Sequence, residues 1–175
     1  MQSAAVLEWL WRQRHERMPR LIIIDEAHNV CPQTPHSPLE ELATEHVIRI
    51  AAEGRKYGLY LLLSTQQPQK IHANVLSQCD NLILLRMNSS VDTDHLARVF
   101  GFVPTPLLHQ ASGFRLGEGL VAGKITSHPL RVQGARRWTR EGGADIPTIW
   151  AQPDATSDNT RTAADGDHGA RGDPQ

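Results

Sequence analysis

The stretch Arg20-Leu21-Ile22-Ile23-Ile24-Asp25-Glu26-Ala27-His28 constrains the fold of this chain more than any other. Four consecutive large apolar residues, three of them β-branched, run directly into two adjacent carboxylates. An apolar run without polar alternation suits a strand buried on both faces of a parallel sheet. In such sheets ligands collect just beyond the carboxyl ends of the strands. Asp25 and Glu26 therefore stand where chemistry is expected. A solvated acidic turn after a buried strand is the plainer alternative.

A second strand repeats the arrangement. Leu59-Tyr60-Leu61-Leu62-Leu63 is apolar throughout and ends in Ser64-Thr65-Gln66-Gln67-Pro68. Between the two strands, Ser37-Pro38-Leu39-Glu40 opens a helix. Ser37 caps it, Pro38 takes the first helical position and Glu40 can close a capping box. Leu39, Leu42, Ala43, Val47, Ile50 and Ala51 then form one apolar stripe, with His46 on it as a packed or half-buried histidine. Gly54 is expected to end this helix in a left-handed conformation, and it places Arg55 and Lys56 at the helix tip. A strand–helix–strand unit normally pairs its strands in parallel, which brings Asp25, Glu26, Thr65 and Gln66 to one rim.

The remaining elements follow from periodicity and punctuation. Ser3 to Met18 reads as a helix stopped by Pro19, with Arg12, Arg14 and Arg17 near its C-terminal end, where cations complement the helix dipole. This arginine cluster is read as a solvated face without a DNA-binding role. Ile71 to Cys79 is a short helix, Asn81 to Met87 a third buried strand, Val91 to Phe100 a helix closed by Gly101, and Pro106 to Gln110 a short helix. Glycine-punctuated residues 113–124 and alternating residues 129–133 suggest an antiparallel ribbon appended to the parallel sheet. From about Trp138 large apolar residues become scarce, and residues 142–175 read as disordered. Arg171-Gly172-Asp173 in that tail carries no weight as an adhesion tripeptide.

The fold class expected is therefore α/β: a partial parallel sheet with flanking helices, a C-terminal β-ribbon and a disordered tail. Residues 1–137 form the domain and 138–175 the tail. A chain of 175 residues has room for one core. The net charge of −1 gives no global argument for a nucleic-acid surface or an anionic membrane. Cys31 and Cys79 lie far apart and are expected as ordinary thiols in a reducing compartment. The first ten residues lack a signal-peptide pattern, and no apolar run approaches the roughly 20 residues of a membrane-spanning helix. These features point to a cytoplasmic protein without a membrane partner. A zinc site from His28, Cys31 and His36 is disfavoured by loose spacing and the lack of a second ligand cluster.

Paired acids after a buried strand have a use in nucleotide hydrolysis. One holds Mg²⁺, usually through water, and the other orients or deprotonates the attacking water. On that reading Asp25 is the metal and nucleotide residue, Glu26 the catalytic base, and Gln66 a sensor of the γ-phosphate. Arg55 is a candidate arginine finger, a contribution on the order of 10³ to 10⁵ in rate. That is comparable with or larger than the roughly 10²–10⁴ of a general base.

In order, LIIIDEAH, EGRKYGLYLLLSTQQP, VLSQCDNLILLRM and LGEGLVAG resemble the C-terminal half of a HerA/FtsK-type, HerA-like ATPase, over about residues 19–134. The resemblance implies a hexameric, RecA-like, DNA-translocating motor, or helicase, that uses ATP and Mg²⁺. It matches Asp25 and Glu26 to the Walker B pair, Arg55 to a finger acting on the adjacent subunit, and Gln66 to the polar sensor. Thr65 beside it is a nucleotide-binding candidate. DNA is implied as substrate. A P-loop-bearing upstream polypeptide or intact homologous subunits are implied as partners, with a nuclease as a further candidate.

The departure is that no G-x-x-x-x-G-K-[ST] occurs in the 175 residues. That loop supplies the amides and lysine that cradle phosphates. In RecA-like sheets its strand lies between those corresponding to Leu59–Leu63 and Leu82–Leu85. Without it these two strands must pair directly or leave open edges. The expectation is a chain that alone neither hydrolyses ATP nor binds it tightly. The alternative is a non-catalytic interaction or regulatory module derived from such an ATPase. A DEAH-type helicase of another superfamily would need a later Q-x-x-G-R-x-x-R segment, which is absent.

Overall fold

A computed structural model describes residues 2–135, and the tail expected at 138–175 lies outside the described residues. Helix α1 (Gln2–Arg12) ends in a 3-10 turn, Gln13–Glu16, and Pro19 leads into β1 (Arg20–Ile24). Helix α2 (Pro38–Glu53) begins as expected: Ser37 Oγ accepts the Glu40 N–H at 3.3 Å. The Glu40 carboxylate reaches one residue further than a capping box requires and accepts the His36 N–H at 2.7 Å. A 3-10 turn, Gly54–Tyr57, connects α2 to β2 (Leu59–Leu63). The short helix α3 (Ala73–Leu76) follows, then β3 (Asn81–Leu84), α4 (Ser90–Val99), α5 (Thr105–His109), β4 (Glu118–Gly123) and β5 (Leu130–Gln133).

Strands β1 and β2 pair in parallel, in register from Arg20 opposite Leu59 to Ile24 opposite Leu63. The third strand behaves differently from expectation. β3 pairs antiparallel with β4, which pairs antiparallel with β5, so β3 belongs to the ribbon's sheet. Among the described residues β2 and β3 do not pair, and of the two outcomes expected the open-edge one is found.

Two apolar clusters hold this unit. One gathers Leu7, Ile24, Val47, Ile50, Leu59, Ile71 and Val75 between α1, α2, α3 and the parallel pair. The other gathers Leu84, Leu96, Phe100, Leu108, Phe114 and Leu120 around the antiparallel sheet, and Val99 packs against both. Each fully buried side chain of this size contributes about 1.5–3 kcal/mol. The expectation of strands buried on both faces is corrected here. Leu21 is 62% exposed, Ile23 64%, Tyr60 51% and Leu62 44%, because the described helices cover the opposite face. No described helix is long and apolar enough to cross a membrane.

Gly54 is not left-handed. Its φ is −54°, and the left-handed residue is Gly58, at φ 79°. Gly54 is required by proximity instead: a Cβ there would stand 2.8 Å from the Leu59 carbonyl oxygen. Cys31 is buried, and that burial, with a smaller contribution from Cys79, pushes its thiol up to about 12. It is inert packing, with Sγ donating to the Ala27 carbonyl at 3.2 Å.

Candidate functional site

Because β1 and β2 run in parallel and in register, their polar ends leave the sheet together. The ladder continues past the strands, with Ser64 N–H donating to Ile24 O and Ala27 N–H donating to Ser64 O, each at 2.9 Å. The two emerging loops then run alongside each other, joined by Gln33 N–H to Lys70 O at 2.7 Å and His72 N–H to Cys31 O at 2.9 Å. The rim is thus built on backbone hydrogen bonds, which hold a site more firmly than free loops do.

Between these anchors the chain bends sharply at Glu26, whose φ of 47° and ψ of 51° are left-handed. For a residue with a Cβ this costs roughly 1–2 kcal/mol. Such strain persists only where the surroundings enforce it, and it clusters at functional sites. Here Asp25 Oδ1 accepts the Glu26 N–H at 3.0 Å, and the Glu26 carbonyl accepts the Asn29 N–H at 2.8 Å.

The bend carries the Glu26 carboxylate across to β2. Gln66 Nε2 donates to Glu26 Oε1 at 3.1 Å. The expected base and the expected sensor are therefore in direct contact, although 40 residues separate them in sequence. Thr65 Oγ1 accepts the Gln67 N–H at 3.0 Å and lies 3.0 Å from His28 Nδ1. Asp25 is exposed at the same rim.

Among the described residues no three His, Cys, Asp or Glu side chains form a metal cage, and the zinc grouping of His28, Cys31 and His36 is not assembled. The donor set instead suits Mg²⁺, which keeps several waters and takes one or two carboxylates plus substrate phosphates. An exposed Asp25, engaged among the described residues through Oδ1 with its neighbour's N–H, fits that demand.

Arg55 stands apart from this rim. It lies in the turn before Leu59, at the amino end of β2, whereas the acids follow the carboxyl end of β1. Strand length alone separates the two ends by roughly 15 Å. Arg55 is exposed and makes no ion pair among the described residues. Its turn is nonetheless fixed. Tyr57 packs edge-on against Trp11 with ring centroids 5.8 Å apart and against His15 at 5.7 Å. The Arg14 guanidinium lies 4.6 Å from the Trp11 ring and 5.6 Å from the Tyr57 ring, within cation–π range.

Of the residues singled out from sequence, Asp25, Glu26, Thr65 and Gln66 share the rim and Arg55 does not. The residue missed is His28, considered only as a weak metal ligand. Its contact with Thr65 spans 37 positions, and no local spacing announces it.

No family model matches the chain. Over 131 residues it is 32% identical to a probable helicase of Methanocaldococcus jannaschii, a stretch that is 75% of this chain and 25% of that protein. Over 115 residues it is 32% identical to the DNA double-strand break repair helicase HerA of Pyrococcus furiosus, covering 66% of this chain and 20% of the relative. It is 30% identical over 117 residues to HerA of Saccharolobus solfataricus, covering 67% and 23%. The chain thus spans a quarter or less of the length of these relatives. Among solved structures, the genome-packaging NTPase of Sulfolobus turreted icosahedral virus 2, in complex with ATP-gammaS, superposes with a TM-score of 0.58 at 17% identity, covering 75% of this chain and 62% of that one. VirB4 of Thermoanaerobacter pseudethanolicus gives 0.58 at 17% identity, covering 78% and 37%. These two share the fold.

Proposed function

We propose that this chain, a relative of the HerA-like helicases by sequence and of P-loop NTPases by fold, supplies one part of a HerA-like hexameric DNA-translocating ATPase. Its contribution is the Walker B pair, the polar sensor and the arginine finger. The phosphate-binding loop comes from a P-loop-bearing upstream polypeptide or from intact homologous subunits. The observation that carries this reading is the single rim where Glu26 and Gln66 are hydrogen bonded across two in-register parallel strands.

In the assembled motor Asp25 would hold Mg²⁺, and the ion would supply charge neutralisation on the phosphates. Glu26 accepts a proton from the attacking water, while Gln66 fixes its carboxylate through Oε1. Thr65 and Gln66 face the γ-phosphate end of the nucleotide. Arg55 acts on the nucleotide of the adjacent subunit. Its position at the far end of β2 supports that reading, since it cannot serve the acids of its own chain. DNA as substrate is proposed from the HerA relatives, and ATP from the packaging NTPase, whose solved complex contains ATP-gammaS.

The 175 residues contain no G-x-x-x-x-G-K-[ST] motif, and the chain alone is expected neither to turn over ATP nor to bind it tightly. The test mixes the purified chain with the P-loop-containing remainder of a HerA relative and measures phosphate release with and without duplex DNA. Release stimulated by DNA, and lost with Glu26→Gln or Arg55→Ala, is the expected result. A second reading, a non-catalytic interaction or regulatory module, is favoured by the exposed apolar face of β1 and β2. A stable complex without phosphate release would overturn the catalytic reading in its favour. Turnover by the chain alone above the Glu26→Gln background would overturn both.

A further inference from the structure

We infer that His28 is the positioning residue of Glu26, its Nδ1–H shared between Thr65 Oγ1 and Glu26 Oε2. The inference rests on the reading that Glu26 handles the attacking water.

The argument begins with an unsatisfied atom. Glu26 Oε1 has the Gln66 amide, but Oε2 is buried and has no hydrogen-bond partner among the described residues. Leaving a charged oxygen in that condition costs more than an ordinary lost hydrogen bond. His28 Nδ1 stands 3.4 Å from Oε2 and 3.0 Å from Thr65 Oγ1. If Nδ1 carried a lone pair, two acceptors would face each other at Oε2. With the proton on Nδ1, one donor lies between the carboxylate and the hydroxyl oxygen. The second arrangement assigns the tautomer, since the hydrogen bonds of a neutral imidazole determine which nitrogen is protonated.

The contact has a mechanical consequence. Glu26 sits on a strained left-handed bend, so its side chain is aimed by its partners. Gln66 grips one oxygen and His28 the other, while Thr65 is itself fixed by the Gln67 N–H. A base must meet its water within hydrogen-bond reach, and a misplacement of about 1 Å can cost on the order of 10²-fold in rate. His28 touches neither nucleotide nor water in this scheme and acts only through Glu26.

The test has two arms. In the full chain with ¹⁵N-labelled histidine, two-bond ring correlations by NMR should show His28 protonated at Nδ1, and Glu26→Ala combined with Thr65→Val should release that preference. A wild-type His28 protonated at Nε2 overturns the inference. In the assay with the P-loop-containing partner, His28→Ala should lower kcat by about ten- to a hundredfold and leave KM for ATP within about twofold. His28→Asn, whose amide N–H falls near the lost Nδ1–H, should recover most of the rate, and His28→Gln should not. Equal loss in His28→Asn and His28→Ala, or a KM that moves with kcat, overturns it. If the wild-type mixture releases no phosphate, the motor reading fails, and the NMR arm still decides the His28 contact by itself.

Discussion

At the scale of single residues, this chain places polar groups where apolar ones would be cheaper. His46 lies on the core-facing side of α2, buried, with both ring nitrogens lacking partners among the described residues. Burial disfavours its charged form, Arg49 disfavours it further, and Glu8 and Glu45 oppose them only in part, so its pKa falls below the ordinary 6.5. The unfolded chain then takes up a proton near pH 6.5 that the folded chain refuses. Stability is full above that pH and is lost as pH falls from it through the depressed folded value. The slope is at most one proton's worth, about 1.4 kcal/mol per pH unit. Urea unfolding at pH 7.5 and pH 5.5 should show a stability loss that shrinks in His46→Leu. An unchanged loss in that variant would mean that other groups carry the acid sensitivity. Glu26 is the opposite case, a polar residue under backbone strain whose justification is its contacts at the rim.

At the scale of elements, legibility in the sequence followed locality. The helix at Pro38–Glu53 was readable because its cap, its proline and its stripe are local signals, and the parallel pairing followed from the strand–helix–strand order. The shared rim was legible for the same reason. What the sequence did not reveal was long-range. Apolar periodicity says that β3 is a strand and is silent on its partner, so its transfer to the ribbon's sheet was not foreseen. The left-handed bend at Glu26 has no signal, since glutamate there breaks the usual preference for glycine. Gly54 is special for a reason other than the expected one: its lack of a side chain admits the backbone of Leu59, and its dihedral angles are ordinary. Gly54→Ala should therefore destabilise by about 1–3 kcal/mol, as overpacking against unyielding backbone does, even though alanine favours helix. Chemical denaturation decides it, because a gain in stability would show that α2 can shift away from β2. Since that turn carries Arg55, the same variant should also reduce DNA-stimulated phosphate release in the mixture.

At the scale of the whole molecule, the described residues form a sheet system that is one layer short. Strands that are apolar on both faces belong between two layers of helices, yet Leu21 and Ile23 of β1 and Tyr60 and Leu62 of β2 lie bare on one face, and Ile83 and Leu85 are likewise exposed on β3 and just beyond it. The register places Leu21 beside Tyr60 and Ile23 beside Leu62, so those four side chains make one contiguous surface. Contiguous apolar surface of this kind marks an interaction site or an aggregation hazard, and unpaired strand edges add to the hazard. The isolated chain should therefore bind a hydrophobic dye such as ANS and self-associate as its concentration rises. Ile23→Thr with Leu62→Thr keeps β-branching at one position, introduces it at the other, and removes apolar area from the face. That pair should cut dye binding and self-association while lowering the melting temperature only slightly, because Ile23 and Leu62 lie on the bare face and threonine suits a strand. It should also abolish complex formation with the P-loop-containing partner, whose strand and helices would cover this face. A double variant that still binds the partner would move the docking surface elsewhere, and a wild-type chain that stays monomeric and dye-free would show that the face is already covered.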